Sequence, residues 1–591
     1  MLNKKYIPTP LIEKKKKKKV KIVEKIDKRR VTTPYVIRRF IIYFLALQWR
    51  RFTGKANMEK TATQLREIFE DFGGFWVKAG QVLALRTDIL PEPICDALQS
   101  LQSEALGFPF DIVRSTIESE LGVPLKKVFA VFDEEPLAAA SIAQVHTAVL
   151  RKKQIPVVVK VQRPGLEDAF QRDLNVIKGL VNLLIFLNIA TYLGWGEFIA
   201  ELDKTFKEEL DFRYEASSTI RMRKSLKEHK VFVPKIYEKY SKRRILVMEF
   251  INGVMMSDYI TALASQRSLA AKWEEENNID RVKLGERLYL SLFRQLFEDN
   301  LFHADLHPGN IILLRNNKFV LIDHGSTGSL EAELRNTYLN YVNGLGEGNF
   351  TKAADYYIRF GVGIPKVDID RVRVEMGRQF ENWYVRSQVK GVPFRQKSLG
   401  GAIKGVTDVA FGYKIPTNWD FLKLTRSVLA LDGSLQYLWP DIDVFEVINK
   451  YNKQARRRAL VNNLRPENIL KWVNQASDIV NQYNYLVLPE VRKRTNAYEL
   501  TVNQFALSMV VILRRSSYLV LVAEFGALYV FLYQHYFQII RPINIQMIDE
   551  IVSKFPYIPY LEWVGILIVV GLIFQVLLVC AKILGRKELN I

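Results

Sequence analysis

His303-Ala-Asp305-Leu-His307-Pro-Gly-Asn310, with Asp323-His-Gly325 beyond it, is the stretch that decides how this chain is read. Two short apolar runs lie between, Ile311–Leu314 and Phe319–Ile322, around the turn Asn316-Asn317. Apolar run, Asn-rich turn and apolar run predict a β-hairpin. Such a hairpin folds Asn310 and Asp323 back towards one point. A bland reading makes Asp305 and Asn310 caps of a tight loop. Three oxygen-bearing side chains placed around one hairpin speak for a shared site instead.

The chemistry that needs this set is phosphoryl transfer from ATP. Mg²⁺ bridging the phosphates wants hard oxygen ligands, and the acceptor hydroxyl wants a nearby carboxylate. Protein kinases use a loop of the form H-x-D-x-x-x-x-N and a later D-x-G, and this stretch resembles both. Asp305 is then the catalytic carboxylate, with Asn310 and Asp323 as metal ligands. A zinc site on His303 and His307 is the competing assignment; His303 fits better as the structural histidine of the loop. Upstream, Val157-Val-Val-Lys160 resembles the Val-Ala-Ile-Lys strand of kinases, whose lysine reaches the α- and β-phosphates. The segment Glu208-Glu-Leu-Asp-Phe-Arg-Tyr-Glu215 offers carboxylates to pair with a lysine, although composition alone reads it as a charged helix face.

Working outward, the chain has 591 residues and a net charge of +22. Residues 1–60 hold 19 Lys/Arg against 4 Asp/Glu, densest at Lys14 to Lys19. The main expectation is a solvated, disordered tail. Attraction to an anionic membrane, at about 1 kcal/mol per basic residue near the headgroups, is compatible with it. No nucleic-acid motif accompanies the charge. Phe40 to Trp49 is apolar and flanked by arginines, too short to span a bilayer. An interfacial helix and a helix docked on the main domain both suit it. Two cysteines, Cys95 and Cys580, predict no disulfide framework and a reducing compartment. The N-terminus carries no secretory signal pattern.

Helical spacing at Leu65, Ile68, Phe69 and Phe72 opens a helical segment, interrupted at Pro91-Glu-Pro93. Val128–Phe132, Ile142–Leu150, Val157–Val161 and Ile245–Phe250 read as strands, and the segment after 251 as mostly helical. Val176–Leu193 is interrupted by Lys178, Asn182 and Asn188 and suits a core helix. Val564–Leu584 is long and apolar enough for a transmembrane helix. Tyr518–Tyr533 is a second candidate, with Glu524 costly in lipid unless it faces another helix. Two crossings make a hairpin that leaves Arg514, Arg515, Arg586 and Lys587 on the side of the catalytic domain, cytosolic or stromal-like. The expected class is α+β: a two-lobed protein-kinase-like fold with an N-terminal helical extension and C-terminal transmembrane helices. The divisions are 1–57 (basic tail), 58–127 (extension), 128–250 (N-lobe), 251–495 (C-lobe) and 505–591 (membrane anchor).

Two further motifs, Lys78-Ala-Gly-Gln81 in the extension and Ala138-Ala-Ala-Ser141 where a kinase places its Gly-rich loop, narrow the resemblance. With the catalytic loop they resemble the UbiB family of AarF-related atypical kinase-like proteins, over roughly residues 58–490. The resemblance implies that the Lys-x-Gly-Gln helix covers the pocket of a protein substrate. Lys78 and Gln81 would occlude it, with Lys78 engaging Glu209 and Asp211, while Lys160 pairs with Glu215. Ala138, Ala139, Ala140, Ser141, Lys160 and Glu249 are assigned to the nucleotide. Methyl groups in place of glycines stiffen that loop and alter nucleotide handling. Leu306 stands where the family often has Pro, and His324 replaces the Phe of Asp-Phe-Gly.

The function implied is that of an Mg²⁺-dependent, membrane-stimulated ATPase or small-molecule kinase. It would support prenylquinone biosynthesis (ubiquinone, plastoquinone or tocopherol type) or lipid metabolism. Implied partners are the lipid membrane, quinone-pathway enzymes and isoprenoid lipids. A non-catalytic nucleotide- and lipid-binding scaffold and a true protein kinase are the alternatives.

Overall fold

A computed structural model describes residues 4–11, 20, 22, 33–54, 57–88, 90–101, 107–140, 142–186, 195–362, 364–463, 499–536, 552 and 554–585. The chain forms two compact units, Met1–Ala459 and Leu460–Ile591. The Lys14–Lys19 run, Ser141, residues 187–193, Arg586, Lys587 and the expected end of the C-lobe at 495 lie outside the described residues.

The first unit is a two-lobed, protein-kinase-like α+β fold. Its upper sheet is antiparallel, in the order β1 (Phe129–Phe132), β3 (Ala143–Leu150), β4 (Ile155–Gln162), β5 (Ile245–Glu249), with β2 (Ala138–Ala139) added on β3. Period-two alternation decides its faces. On β4, Val157, Val159 and Val161 are fully buried in a core with Val113 and Ile117, so Lys160 between them points to the opposite face. In the lower lobe, β6 (Val254–Met255), β8 (Ile311–Leu314) and β9 (Lys318–Leu321) form a small sheet. Asn316 and Asn317, at φ 60° and 55°, make the tight β8–β9 turn that the sequence predicts. β7 (Phe302–His303) pairs with β10 (Thr327–Gly328).

Ahead of the sheet come α1 (Thr33–Phe52), α2 (Met58–Phe72), α3 (Gly74–Leu83), α4 (Glu92–Gln99) and α5 (Phe110–Leu121). Asn57 caps α2, accepting from the Lys60 N–H at 2.9 Å. Gly73, at φ 64°, turns the corner into α3 in a left-handed conformation that favours glycine. Three further helices matter for the site: α6 (Leu166–Phe186), α7 (Trp195–Glu209) and α8 (Phe212–Leu226). Phe75 of α3 lies edge-on to Phe170 of α6 and Phe206 of α7, at 4.7 and 4.3 Å between ring centroids. One apolar cluster joins these rings to Phe69, Phe72 and Trp76 and to Trp419 and Leu422 of the lower lobe. The extension is thus part of the core. Leu174, Ile177 and Val181 of α6 are buried there too, in keeping with a core helix.

The solvated-tail expectation fails for Lys4–Leu11. Leu11 is buried, Trp273 Nε1 donates to the Thr9 carbonyl at 2.7 Å, and the Thr9 N–H donates to Asn277 Oδ1 at 2.8 Å. Lys318 sits over the Tyr6 ring at 3.5 Å. Backbone groups and two rings dock this segment, and neither depends on its lysines. α1 is docked: Val36 is buried, and Phe40 packs on Phe69, Phe72 and Trp76.

In the second unit two helices are long and apolar enough to cross a membrane, Met509–His535 (27 residues, mean hydropathy 1.5) and Tyr560–Cys580 (21 residues, mean hydropathy 2.8). They pack together: a Cβ added at Gly571 would stand 3.1 Å from Glu524 Oε1. The carboxylate therefore faces its neighbour helix, which limits its cost in lipid. Trp563 Nε1 donates to Gln534 Oε1 at 2.8 Å.

Candidate active site

Lys160 leaves the polar face of β4 and donates to both oxygens of Glu215, at 2.8 and 3.1 Å. Glu215 lies in the first turn of α8, and Asp211 caps that helix by accepting the Arg213 N–H at 3.0 Å. Lys160 also stands 3.9 Å from Asp323 Oδ1 and 5.3 Å from the centre of the Phe212 ring. Burial alone would lower the lysine pKa, but the charges of Asp323 and Glu215 outweigh it and raise it. Asp323 answers in kind: Lys160, ahead of every other influence, holds its carboxyl down at about 2. For Glu215 burial wins over Lys160 and pushes the carboxyl up to about 7.

The loop His303–Asn310 is held by its own histidine. His303 Nδ1 accepts the Asp305 N–H at 3.1 Å, so Nε2 carries the proton and donates to the Ile322 carbonyl at 3.0 Å. Burial also lowers the His303 pKa, in keeping with a neutral ring. Both ring nitrogens are engaged, which removes His303 as a zinc ligand. Among the described residues no group of three or more His, Cys, Asp or Glu side chains could hold a metal ion. Asn310 donates its Nδ2 to the Asp305 carbonyl at 3.0 Å, and its own carbonyl accepts the Ile322 N–H at 3.0 Å. These bonds tie Asp305, Asn310 and the strand leading to Asp323 together. Asp323 takes φ 57°, a conformation Asp tolerates better than most residues, and its side chain stays half exposed. Asn310's remaining amide oxygen and the Asp323 carboxylate are hard donors of the kind Mg²⁺ takes. His324 is fully buried beside His303, at 5.2 Å between rings, with Nε2 lacking a hydrogen-bond partner among the described residues.

The other predicted positions separate. Lys78 of α3 donates to Glu209 Oε1 at 2.8 Å. Asp211 is not its partner: beyond the cap, the Asp211 carboxylate is forked by Arg213, with Nη2 at 2.6 Å. Gln81 is turned from the site and donates to the Leu101 carbonyl at 3.0 Å. Ala138 and Ala139 pair with Val145 and Gln144, and the Ala140 N–H closes the hairpin onto the Ala143 carbonyl at 2.7 Å. The Glu249 carboxylate lies 3.6 Å from Arg223 Nη1 and accepts the Lys235 N–H at 3.2 Å. It is committed to the protein.

Sequence reasoning missed Arg426. It lies on α9 (Trp419–Leu438) and places Nη2 3.1 Å from Asp305 Oδ2. The next residue, Ser427, donates to the His303 carbonyl at 2.6 Å. Lys423, one turn earlier, pairs with Glu201 of α7 at 2.6 Å. Also missed was the buried pair Arg86–Asp88, at 2.9 Å, whose Asp88 accepts the Thr417 N–H at 2.7 Å.

Comparison with known proteins gives the family. The ABC1 atypical kinase-like domain matches residues 100–357. A "Probable protein kinase UbiB" from Histophilus somni is 31% identical over 402 residues, covering 66% of this chain and 70% of its own. Its counterpart from Aeromonas hydrophila is 30% identical over 398 residues, with 66% and 69% covered. One from Marinobacter nauticus is 28% identical over 449 residues, with 74% and 78% covered. A Mycobacterium tuberculosis protein solved in complex with erythromycin is 24% identical, covering 62% of this chain and 95% of its own, at a TM-score of 0.39. Arrangement, motifs and relatives agree, and the chain belongs to the UbiB family of atypical kinase-like proteins.

Proposed function

We propose that this protein binds ATP with Mg²⁺ between its lobes and hydrolyses it, or passes the γ-phosphoryl group to a small molecule, at a membrane in prenylquinone biosynthesis. The observation that carries the reading is the Lys160–Glu215 pair at 2.8 Å with Asp323 3.9 Å from the same ammonium. In a kinase this pairing aims the lysine at the α- and β-phosphates. Asp323 and Asn310 would hold the metal, which neutralises charge developing on the phosphoryl oxygens when bound. Asp305 would accept the proton of the attacking hydroxyl or water, with Arg426 fixing its orientation. Ala138 to Ala140 line the nucleotide's phosphate side, and Lys78 with Glu209 closes the face where a peptide would dock. The membership of the family supports the quinone-pathway placement, and the two apolar C-terminal helices support the membrane.

The test is ADP release by the full chain in vesicles. Activity should require Mg²⁺, rise with lipid, and vanish in Asp323→Asn with the fold intact. Nucleotide binding with no turnover under any lipid condition would defeat the enzymatic reading.

A further inference from the structure

α1 has two apolar faces and the protein covers one of them. Val36 and Tyr43 are buried, and Phe40 packs on α2 and α3. On the other side Ile41, Ile42, Leu45, Trp49 and Phe52 are 51, 52, 64, 68 and 86% exposed. Their spacing puts them on one stripe along the helix, and exposed Arg38 stands on the same stripe one turn before Ile41. Ordinary surface apolar residues are scattered singly; a continuous stripe of large ones marks a contact surface.

Its charges choose between occupants. Arg38 and Arg39 precede the stripe and Arg50 and Arg51 fall at its end, within a segment where Lys/Arg exceed Asp/Glu by 15 over residues 1–60. A second copy laid on this stripe would bring two such basic segments together. An anionic surface would be attracted instead, by about 1 kcal/mol per basic residue close to it. A Trp near the end of an apolar stripe with flanking arginines is also the pattern of an interfacial helix. We infer that α1 is a second membrane contact, lying in the headgroup region of an anionic bilayer through Ile41, Ile42, Leu45, Trp49 and Phe52. The inference rests on the membrane-anchored reading of the C-terminal helices and adds a lipid-selective surface on the kinase-like unit itself. It makes α1 a lever on the active site, because Phe40 packs on Trp76 of the helix that carries Lys78.

The experiment uses the full chain with Cys580→Ser and Trp49→Cys, labelled with an environment-sensitive nitrobenzoxadiazole; the remaining Cys95 is buried. The labelled protein is reconstituted in phosphatidylcholine vesicles with or without phosphatidylglycerol. We expect blue-shifted emission only with the anionic lipid, weakening at about 1 M salt, where charges are screened beyond about 3 Å. A label at Glu67→Cys, on α2, should stay water-like throughout. Water-like emission from position 49 in both lipids, while the chain co-floats with the vesicles, overturns the inference and spares the anchor. A shift in lipid-free detergent that grows with protein concentration also overturns it, in favour of a second copy. Failure of the anchor is read separately, as a chain that does not float with neutral vesicles, and the label still reports on α1 against added anionic ones.

Discussion

Arg426 Nη2 lies 3.1 Å from Asp305 Oδ2, so a helix of the lower lobe grips the carboxylate proposed to do the chemistry. The same helix buries Trp419 in the core of the extension. One rigid rod therefore runs from the extension to the catalytic loop. Arg426→Ala frees the Asp305 side chain without touching the nucleotide side of the cleft. A misplacement of about 1 Å in a positioned group costs up to about 100-fold in rate. We expect kcat for ADP release to fall by about 10- to 100-fold with Mg-ATP affinity unchanged, and Arg426→Lys to recover part of it. A parallel loss of nucleotide binding would count against a positioning role.

Lys160→Met isolates the buried charges. Removing one partner of a buried pair costs about 3–5 kcal/mol, because the other is left unpaired. Glu215, already up at about 7, then rises further without its ammonium. A carboxyl whose folded pKa exceeds its unfolded value of about 4.3 stabilises the fold below that value, and the benefit is lost as pH rises through the folded pKa. The variant should therefore melt closest to wild type near pH 5 and furthest from it near pH 8. Melting curves across that range decide it; a deficit independent of pH would show that Glu215 does not titrate there.

Asp88 and Arg86 are 0 and 2% exposed, and the Arg86 guanidinium lies 5.0 Å from the Trp419 ring centre. With the Asp88–Thr417 bond they fasten the extension to the lower lobe. Arg86→Met should cost about 3–5 kcal/mol by leaving Asp88 buried and unpaired. Adding Asp88→Asn should return part of that loss, since the charge goes with its partner. Denaturant unfolding of the two variants measures the coupling, and simple additivity would mean that the pair is not coupled.

What the sequence disclosed, and what it hid, follows from distance along the chain. Lys160, Asp305, Asn310 and Asp323 were legible because strand alternation and a hairpin place them, and both are local rules. Arg426 reaches Asp305 from a distant helix, and no spacing connects them. Arg86-Thr-Asp88 reads as a polar turn until its burial is known. Lys4–Leu11 is hidden by its surroundings: the lysine run at 14–19 makes residues 1–60 read as one charged tail, while Tyr6, Thr9 and Leu11 do the docking. Asp211 parts from Lys78 for a local reason: it stands directly before Phe212–Leu226 and caps that helix, an N-cap position legible in the sequence.

Lys78 tests the extension as a regulator. Its side chain is 28% exposed and its ammonium is bonded to Glu209, whose other oxygen is buried with no hydrogen-bond partner among the described residues. It also helps hold the Asp323 carboxyl down, behind Lys160 and the Gly325 N–H. Lys78→Ala therefore has two consequences. α3 keeps its aromatic packing on Phe170 and Phe206, so the fold survives. The cleft loses a positive charge near the proposed metal position and the pair proposed to close its peptide face. We expect altered preference between ATP and ADP, and phosphate incorporated into the chain itself where wild type incorporates none. Lys78→Arg keeps the charge and should retain the closed behaviour. Nucleotide preference and self-labelling identical to wild type in Lys78→Ala would remove Lys78 from any occluding role and leave it as an ordinary surface tie.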